Sequence, residues 1–173
     1  MDTQIETDAA FSTRGAKAAV FRPRFGQAHQ QYLSPKWICE ANALIVARLF
    51  VQGQLNVIDL TCGSGRLLAP FAERNHHTLG IELDERLIPI ARRALGKDHV
   101  RNGDICAYAG ILPQDQWDVA VINPPYSLWW EVANTPLETY ELCPPSSAEF
   151  GGNIESQVMV LELATKLLHK PYY

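Results

Sequence analysis

Asn123-Pro124-Pro125-Tyr126 follows the apolar run WDVAVI and puts acceptors, rigidity and a flat ring into four residues. That set suits work on an amino nitrogen whose lone pair is delocalised into a ring or carbonyl. Such a nitrogen is a poor nucleophile. If the Asn123 side-chain oxygen and the Pro124 carbonyl each accept one N–H, the nitrogen is drawn toward a tetrahedral shape and its lone pair is aimed. No strong base is needed, because positioning and electrostatics supply the rate. Pro124 and Pro125 fix the backbone that carries the acceptors. Tyr126 can stack on a flat substrate, as rings stack on bases turned out of a duplex. Trp129 and Trp130 either lengthen that stacking surface or pack beneath the next loop. A Pro-Pro turn with core aromatics is the plain alternative for the corner.

A second chemical segment is DLTCGSGRLL, residues 59–68. Gly63 and Gly65 let the backbone turn tightly and approach a ligand, and Asp59 stands at a strand's carboxyl end. No Gly-Lys-Ser/Thr is present, and Leu68 replaces the third glycine of G-x-G-x-x-G, so neither a P-loop nor a diphosphate-binding turn is indicated. Glu82 ends the next apolar run, where a carboxylate can accept both hydroxyls of a ribose. Asp84 reads better as a helix cap. Asn102-Gly103-Asp104-Ile105 is by itself only a turn, although its aspartate can accept an amino hydrogen from an adenine ring.

Together these segments resemble the class I S-adenosylmethionine-dependent methyltransferases. The resemblance implies that Asp59, Thr61, Cys62, Gly63 and Gly65 hold the methionine part of S-adenosylmethionine. Glu82 would take the ribose hydroxyls, with Leu83 counted beside it, and Asp104 with Ile105 the adenine. Asn123-Pro124-Pro125-Tyr126 looks like the motif of methyltransferases that modify adenine N6, cytosine N4 or glutamine amides. HQQYLSPKWICEANAL (29–44) resembles the turn that precedes the glycine loop in γ-type adenine-N6 DNA methyltransferases, with Ser34 in place of the usual threonine. By that likeness Tyr32, Ser34 and Pro35 close the methionine end of the pocket, and Asn123 also borders the cofactor.

The elements that must position these residues alternate. Ser34 as N-cap and Pro35 at the first helical position open an amphipathic helix, KWICEANALIVARLF, ended near Gly53. LNVIDL (55–60), HTLGIEL (77–83), Asp98–Arg101 and WDVAVI (117–122) read as strands. RLLAPFAERN, DERLIPIARRALG and IESQVMVLELATKLL read as helices. The pattern predicts a Rossmann-like α/β domain over 29–173, a parallel sheet with helices on both faces. Residues 127–153, with Pro136, Pro144, Pro145, Gly151 and Gly152, read as a long functional loop. Residues 1–28 read as a partly disordered lead-in with a short helix around Ala16–Phe21 and a basic cluster, Arg14, Lys17, Arg22 and Arg24. The family's C-terminal strands and DNA-reading region are not found, which leaves the last strand an apolar, poorly covered sheet edge.

The chain has 173 residues, 47% hydrophobic and 20% charged, which suits one globular domain. Its formal charge of −4 counts against autonomous DNA binding through phosphates, but not against a catalytic part served by a basic surface elsewhere. The four cysteines are scattered without metal-ligand spacing, and neither a signal peptide nor a membrane span is seen. The sequence therefore predicts a cytoplasmic enzyme that methylates adenine N6 in DNA, with the base flipped out. A partner chain or further sequence would supply target recognition, in a restriction-modification or defence setting. Methylation of a protein glutamine or an RNA base shares the same corner. A non-catalytic module of the same fold, or a fragment, is the reading from another class.

Overall fold

β1 (Asn56–Asp59) is the axis of the fold in the computed structural model, which describes residues 32–50, 53–108, 111–126, 129–131 and 153–168. Val57 points into the core on one face of the sheet and Ile58 into the core on the other, and both are fully buried. That is a strand's period of two with apolar residues on both sides, which demands a parallel sheet covered above and below. The chain supplies it. β2 (His77–Glu82), β3 (Val100–Asn102) and β4 (Val119–Ala120) join β1 in the order β3-β2-β1-β4, every pair parallel.

One face is covered by α1 (Lys36–Leu49), α2 (Ala69–Ala72) and α3 (Ile88–Leu95), through Cys39, Ala43, Phe71, Ala91 and Leu95. The other is covered by α5 (Ser156–Leu167), through Met159, Val160, Leu163 and Leu167, with Ile105 of the short α4 (Ile105–Tyr108) beside it. This is the expected Rossmann-like architecture. None of the described helices is long and apolar enough to cross a membrane.

Several boundaries differ from expectation. The helix expected over RLLAPFAERN shrinks to Ala69–Ala72, and that expected over DERLIPIARRALG starts only at Ile88. Each has a proline in its first two positions, Pro70 and Pro89. Proline lacks an N–H and fits only a helix's first turn, so it sets the start. Gly96, at φ +100°, ends α3 as expected. The third strand lies at Val100–Asn102, after a 3₁₀ turn over Lys97–His99, and the fourth is only two residues long.

Ser34 does not cap α1. No side chain caps that helix, Pro35 occupies the N-cap position, and its carbonyl accepts from Ile38 and Cys39. Residues 127–153 are not all loop. β5 (Trp129–Glu131) pairs antiparallel with β6 (Asn153–Glu155), from which α5 starts. The backbones of Trp129 and Trp130 face Glu155 and Ile154, a pairing between segments separated by residues 132–152. The expected lead-in, its short helix and its basic cluster lie outside the described residues.

The edge beside β4 is better covered than expected. Val119 packs with one core and Ala120 with the other. Leu168 forms a parallel bridge to Trp117, so the chain leaving α5 turns back along β4.

Candidate active site

Because all four strands run parallel, their carboxyl ends share one edge of the sheet. Asp59 ends β1, Glu82 ends β2, Asp104 follows β3 and Asn123 follows β4. In spatial order they run Asp104, Glu82, Asp59, Asn123. Three strand spacings of about 4.8 Å give a row about 14 Å long, suited to an elongated ligand laid across the strand ends.

The glycine loop is built against β2. Asp59 Oδ1 accepts the Thr61 N–H at 2.9 Å, and the Cys62 N–H donates to the Ile81 carbonyl at 2.8 Å. Gly63 and Gly65 have φ of +56° and +82°, in the left-handed region where glycine is favoured. A Cβ at Gly65 would also stand 2.9 Å from Leu95 Cδ1. Gly80, which the sequence reading passed over, is as necessary: a Cβ there would lie 2.6 Å from Cys62 Sγ. Gly80→Ala is expected to destabilise the fold by roughly 1–3 kcal/mol, the usual range for overpacking a tight site. A fall in the urea midpoint at constant slope is the readout.

Glu82 is buried, and its carboxylate closes the loop. Oε2 accepts the Gly63 N–H and Oε1 the Asp84 N–H, both at 2.7 Å. Asp84 accepts the Arg86 N–H at 3.0 Å and holds its guanidinium at 2.8 and 2.7 Å, which fixes the turn before α3; it does not cap the helix as expected, because α3 starts only at Ile88 and has no side-chain cap. Beside Glu82, Leu83 is 51% exposed and presents apolar surface at the strand ends. Asn102 Nδ2 donates to the Glu82 carbonyl at 2.9 Å, which ties the β3 end to β2. Asp104 Oδ1 accepts the Cys106 N–H at 2.8 Å, capping the turn of α4 that begins at Ile105.

Asp59 is fully buried, and burial pushes its pKa up to about 7, with the Glu82 charge adding to the effect and the Thr61 N–H opposing it. The sign follows. Below about pH 4 both folded and unfolded chains hold the proton. Between about 4 and 7 the folded chain keeps it and the unfolded chain releases it, so this group makes stability fall as pH rises. Above about 7 its contribution is flat. Asp59→Asn should remove that slope, worth on the order of a few kcal/mol. Urea melts of the two proteins from pH 5 to 8 should converge toward acid and separate toward neutral.

The other end of the row is the aromatic corner. Val121 N–H still pairs with the Ile58 carbonyl at 2.9 Å, and the chain then runs without a regular element through Pro125. Asn123 Nδ2 donates to the Tyr32 carbonyl at 2.8 Å and to Ser34 Oγ at 3.1 Å. Its Oδ1 accepts from the Tyr126 hydroxyl at 3.0 Å. The Tyr32 and Tyr126 rings stand 6.1 Å apart, tilted by 58°. Ser156, not singled out in the sequence, donates to the Pro125 carbonyl at 2.6 Å and pins the corner to the start of α5.

A cavity of about 510 Å³ opens here. Tyr32, Ser34, Pro35, Asn123 and Tyr126 line it, with Leu67 from the far side of the glycine loop. The structure thus gathers residues 32–35 with Asn123 and Tyr126 around one space, while Pro124 and Pro125 are not in its lining. Asp59, Glu82, Leu83, Asp104 and Ile105 are not in that lining; they stand along the strand ends beyond it.

Residues 57–140 match a protein family described as a methyltransferase domain. No curated protein sequence matches the chain. Among solved structures, it is similar to a presumptive class I S-adenosylmethionine-dependent methyltransferase from Listeria monocytogenes, with a TM-score of 0.63 at 17% identity, covering 97% of this chain and 49% of that one. A type I restriction-modification methyltransferase subunit from Streptococcus thermophilus gives 0.57 at 21% identity, over 80% of this chain and 32% of that one. A presumptive RNA methyltransferase from Pyrococcus horikoshii gives 0.54 at 16%, over 96% and 70%. The chain therefore spans about half the length of the first of these proteins and a third of the second. Sheet order, glycine loop and these likenesses agree: the chain carries the Rossmann-like methyltransferase fold, the fold whose cofactor is S-adenosylmethionine.

Proposed function

We propose that this chain transfers a methyl group from S-adenosylmethionine to the N6 amino group of adenine in DNA. The observation that carries the reading is the Asn123 amide. Its nitrogen is held by Tyr32 and Ser34, and its oxygen is presented beside Tyr126 at the cavity. The residues present fit the cofactor. The Gly63–Gly65 backbone turns in the left-handed region, Glu82 is a buried carboxylate at the neighbouring strand end, and Leu83 offers exposed apolar surface to a flat ring.

When bound, S-adenosylmethionine supplies an electrophilic methyl on a sulfonium. The chain's residues do the rest. Asn123 Oδ1 and the Pro124 carbonyl accept the two N–H bonds of the amino group and orient its lone pair. Tyr126, 45% exposed, stacks on the base. Glu82 takes the ribose hydroxyls, while Asp104 with Ile105 takes the adenine of the cofactor. The amine becomes more acidic as its new bond to carbon forms, so the proton can leave to water after transfer, and no buried base is required.

A DNA substrate is favoured by the resemblance of the segment Tyr32–Pro35, whose Tyr32 carbonyl and Ser34 hydroxyl accept from the Asn123 amide, and by the fold likeness to a restriction-modification subunit over four-fifths of the chain. In this reading the chain works in the cytoplasm beside a partner chain or further sequence that reads the target, since its net charge of −4 gives little phosphate attraction of its own. The test uses tritiated S-adenosylmethionine with duplex DNA, RNA and protein in parallel, followed by nucleoside chromatography. Label in N6-methyladenine from DNA is expected. Label confined to protein glutamine or to RNA would move the substrate, and no cofactor binding by calorimetry would replace the enzyme with a non-catalytic module.

A further inference from the structure

An asparagine amide has two chemically different ends, and on a half-exposed corner either can usually turn outward. Here the choice is forced. The Tyr32 carbonyl oxygen lies 2.8 Å from the amide nitrogen and can only accept, so only the NH₂ end can face it. Ser34 Oγ is the second acceptor, at 3.1 Å. Because α1 has no side-chain cap, the Ser34 hydroxyl is not engaged in the local role its sequence position suggests. With the nitrogen held twice, Oδ1 must point the other way, where the Tyr126 hydroxyl donates to it at 3.0 Å.

We propose that Ser34 and the Tyr32 carbonyl form an orientation lock for the Asn123 amide, and that the Tyr126 hydroxyl is a place-holder which the substrate's amino group displaces from Oδ1. The inference rests on amino-group methylation as the reaction. It assigns Ser34 to the substrate side, whereas the sequence resemblance gave it to the methionine end of the cofactor pocket. An acceptor fixed before the substrate arrives costs no reorganisation when charge develops on the amine. Displacement of the place-holder is close to an even exchange. One hydrogen bond replaces another at Oδ1, and Tyr126 is exposed enough for its hydroxyl to be taken up by water. Ser34 acts only through Asn123, so it is a positioning residue.

The experiment compares Ser34→Ala, Ser34→Thr and Tyr126→Phe with the unaltered chain. Hydrogen exchange of the Asn123 side-chain NH₂, followed by ¹⁵N NMR without substrate, should speed up about tenfold in Ser34→Ala and return close to its original rate in Ser34→Thr. In methyl transfer, Ser34→Ala should lower kcat about tenfold with an unchanged Kd for S-adenosylmethionine. Tyr126→Phe keeps the ring and removes the competitor, so KM for the amino substrate should fall by about two- to tenfold. Unchanged exchange in Ser34→Ala, or failure of threonine to restore it, overturns the lock. So does a loss of cofactor affinity as large as the loss of kcat, which would return Ser34 to the cofactor. A raised KM in Tyr126→Phe overturns the place-holder. If the unaltered chain methylates no amino substrate, the reaction assigned above fails, and the exchange comparison still decides the lock.

Discussion

Asn123→Ala should lower methyl transfer by about 10²–10³-fold or more, the range seen when one preorganised polar group is removed from a developing charge. Affinity for S-adenosylmethionine should change far less, because the alanine leaves Gly63, Gly65 and Glu82 untouched. Asn123→Asp is the sharper variant. A carboxylate cannot donate, so it would set an anion against the Tyr32 carbonyl that now receives the Nδ2 hydrogen at 2.8 Å. The side chain must turn away, and Oδ1 loses its direction although an oxygen remains. Aspartate should therefore be as inactive as alanine. Tritium transfer under single-turnover conditions, with cofactor affinity from calorimetry, checks both. Transfer surviving in either variant would sink the proposed chemistry.

Glu82→Ala is expected to produce the largest loss on the cofactor side, roughly 10²-fold in affinity for S-adenosylmethionine. Two effects combine. In the proposed reading the ribose loses its acceptor, and the Gly63 and Asp84 N–H groups lose the buried oxygens they meet at 2.7 Å. An orphaned buried donor costs about 1–3 kcal/mol, so the loop should loosen and the melting temperature should drop by several degrees even without ligand. Glu82→Gln is not a gentle substitute. One of its two ends would be an NH₂ facing a backbone N–H, donor against donor, so it should behave much like alanine. Thermal melts with and without cofactor separate the two effects. The unaltered chain should gain stability with ligand concentration, while the variants start lower and gain little. A Glu82→Ala protein with undiminished ligand-induced stabilisation would remove Glu82 from the ribose.

The sheet and its carboxyl-end residues were legible because they are local signals. Apolar runs mark β1 and β2, and Gly63-Ser64-Gly65 marks the loop between strand and helix. What escaped was written at long range. Ser34 before Pro35 reads as a helix cap, yet its hydroxyl meets a residue 89 positions away. Gly80 reads as an incidental glycine in a strand until Cys62 is found against it. Ser156 gives no sign that it holds Pro125 across a separation of 31 residues. β5 and β6 pair although residues 132–152 separate them in the chain, too long a span for the sequence to suggest register. The two late helix starts are a different failure. Pro70 and Pro89 state them in the sequence, by the rule already applied at Pro35.

The bonds at Asn123 also order the assembly of the site. β1, β2 and β3 pair in chain sequence, and the glycine loop is tied to Glu82 across only 19 residues. The Asn123 amide must reach back 91 residues to Tyr32, after β4 has been added on the opposite side of β1. Contacts at long separation carry the greater loop-closure entropy and tend to form late. In the proposed reading, a chain that has emerged during synthesis only as far as α4 therefore contains Gly63, Gly65, Glu82 and Asp104, assigned to the methyl donor, and lacks Asn123 and Tyr126, assigned to its transfer. Donor binding at that stage could favour the half-built sheet without risk of methylating a wrong partner, since the acceptor end does not exist until the last strand of the sheet has closed.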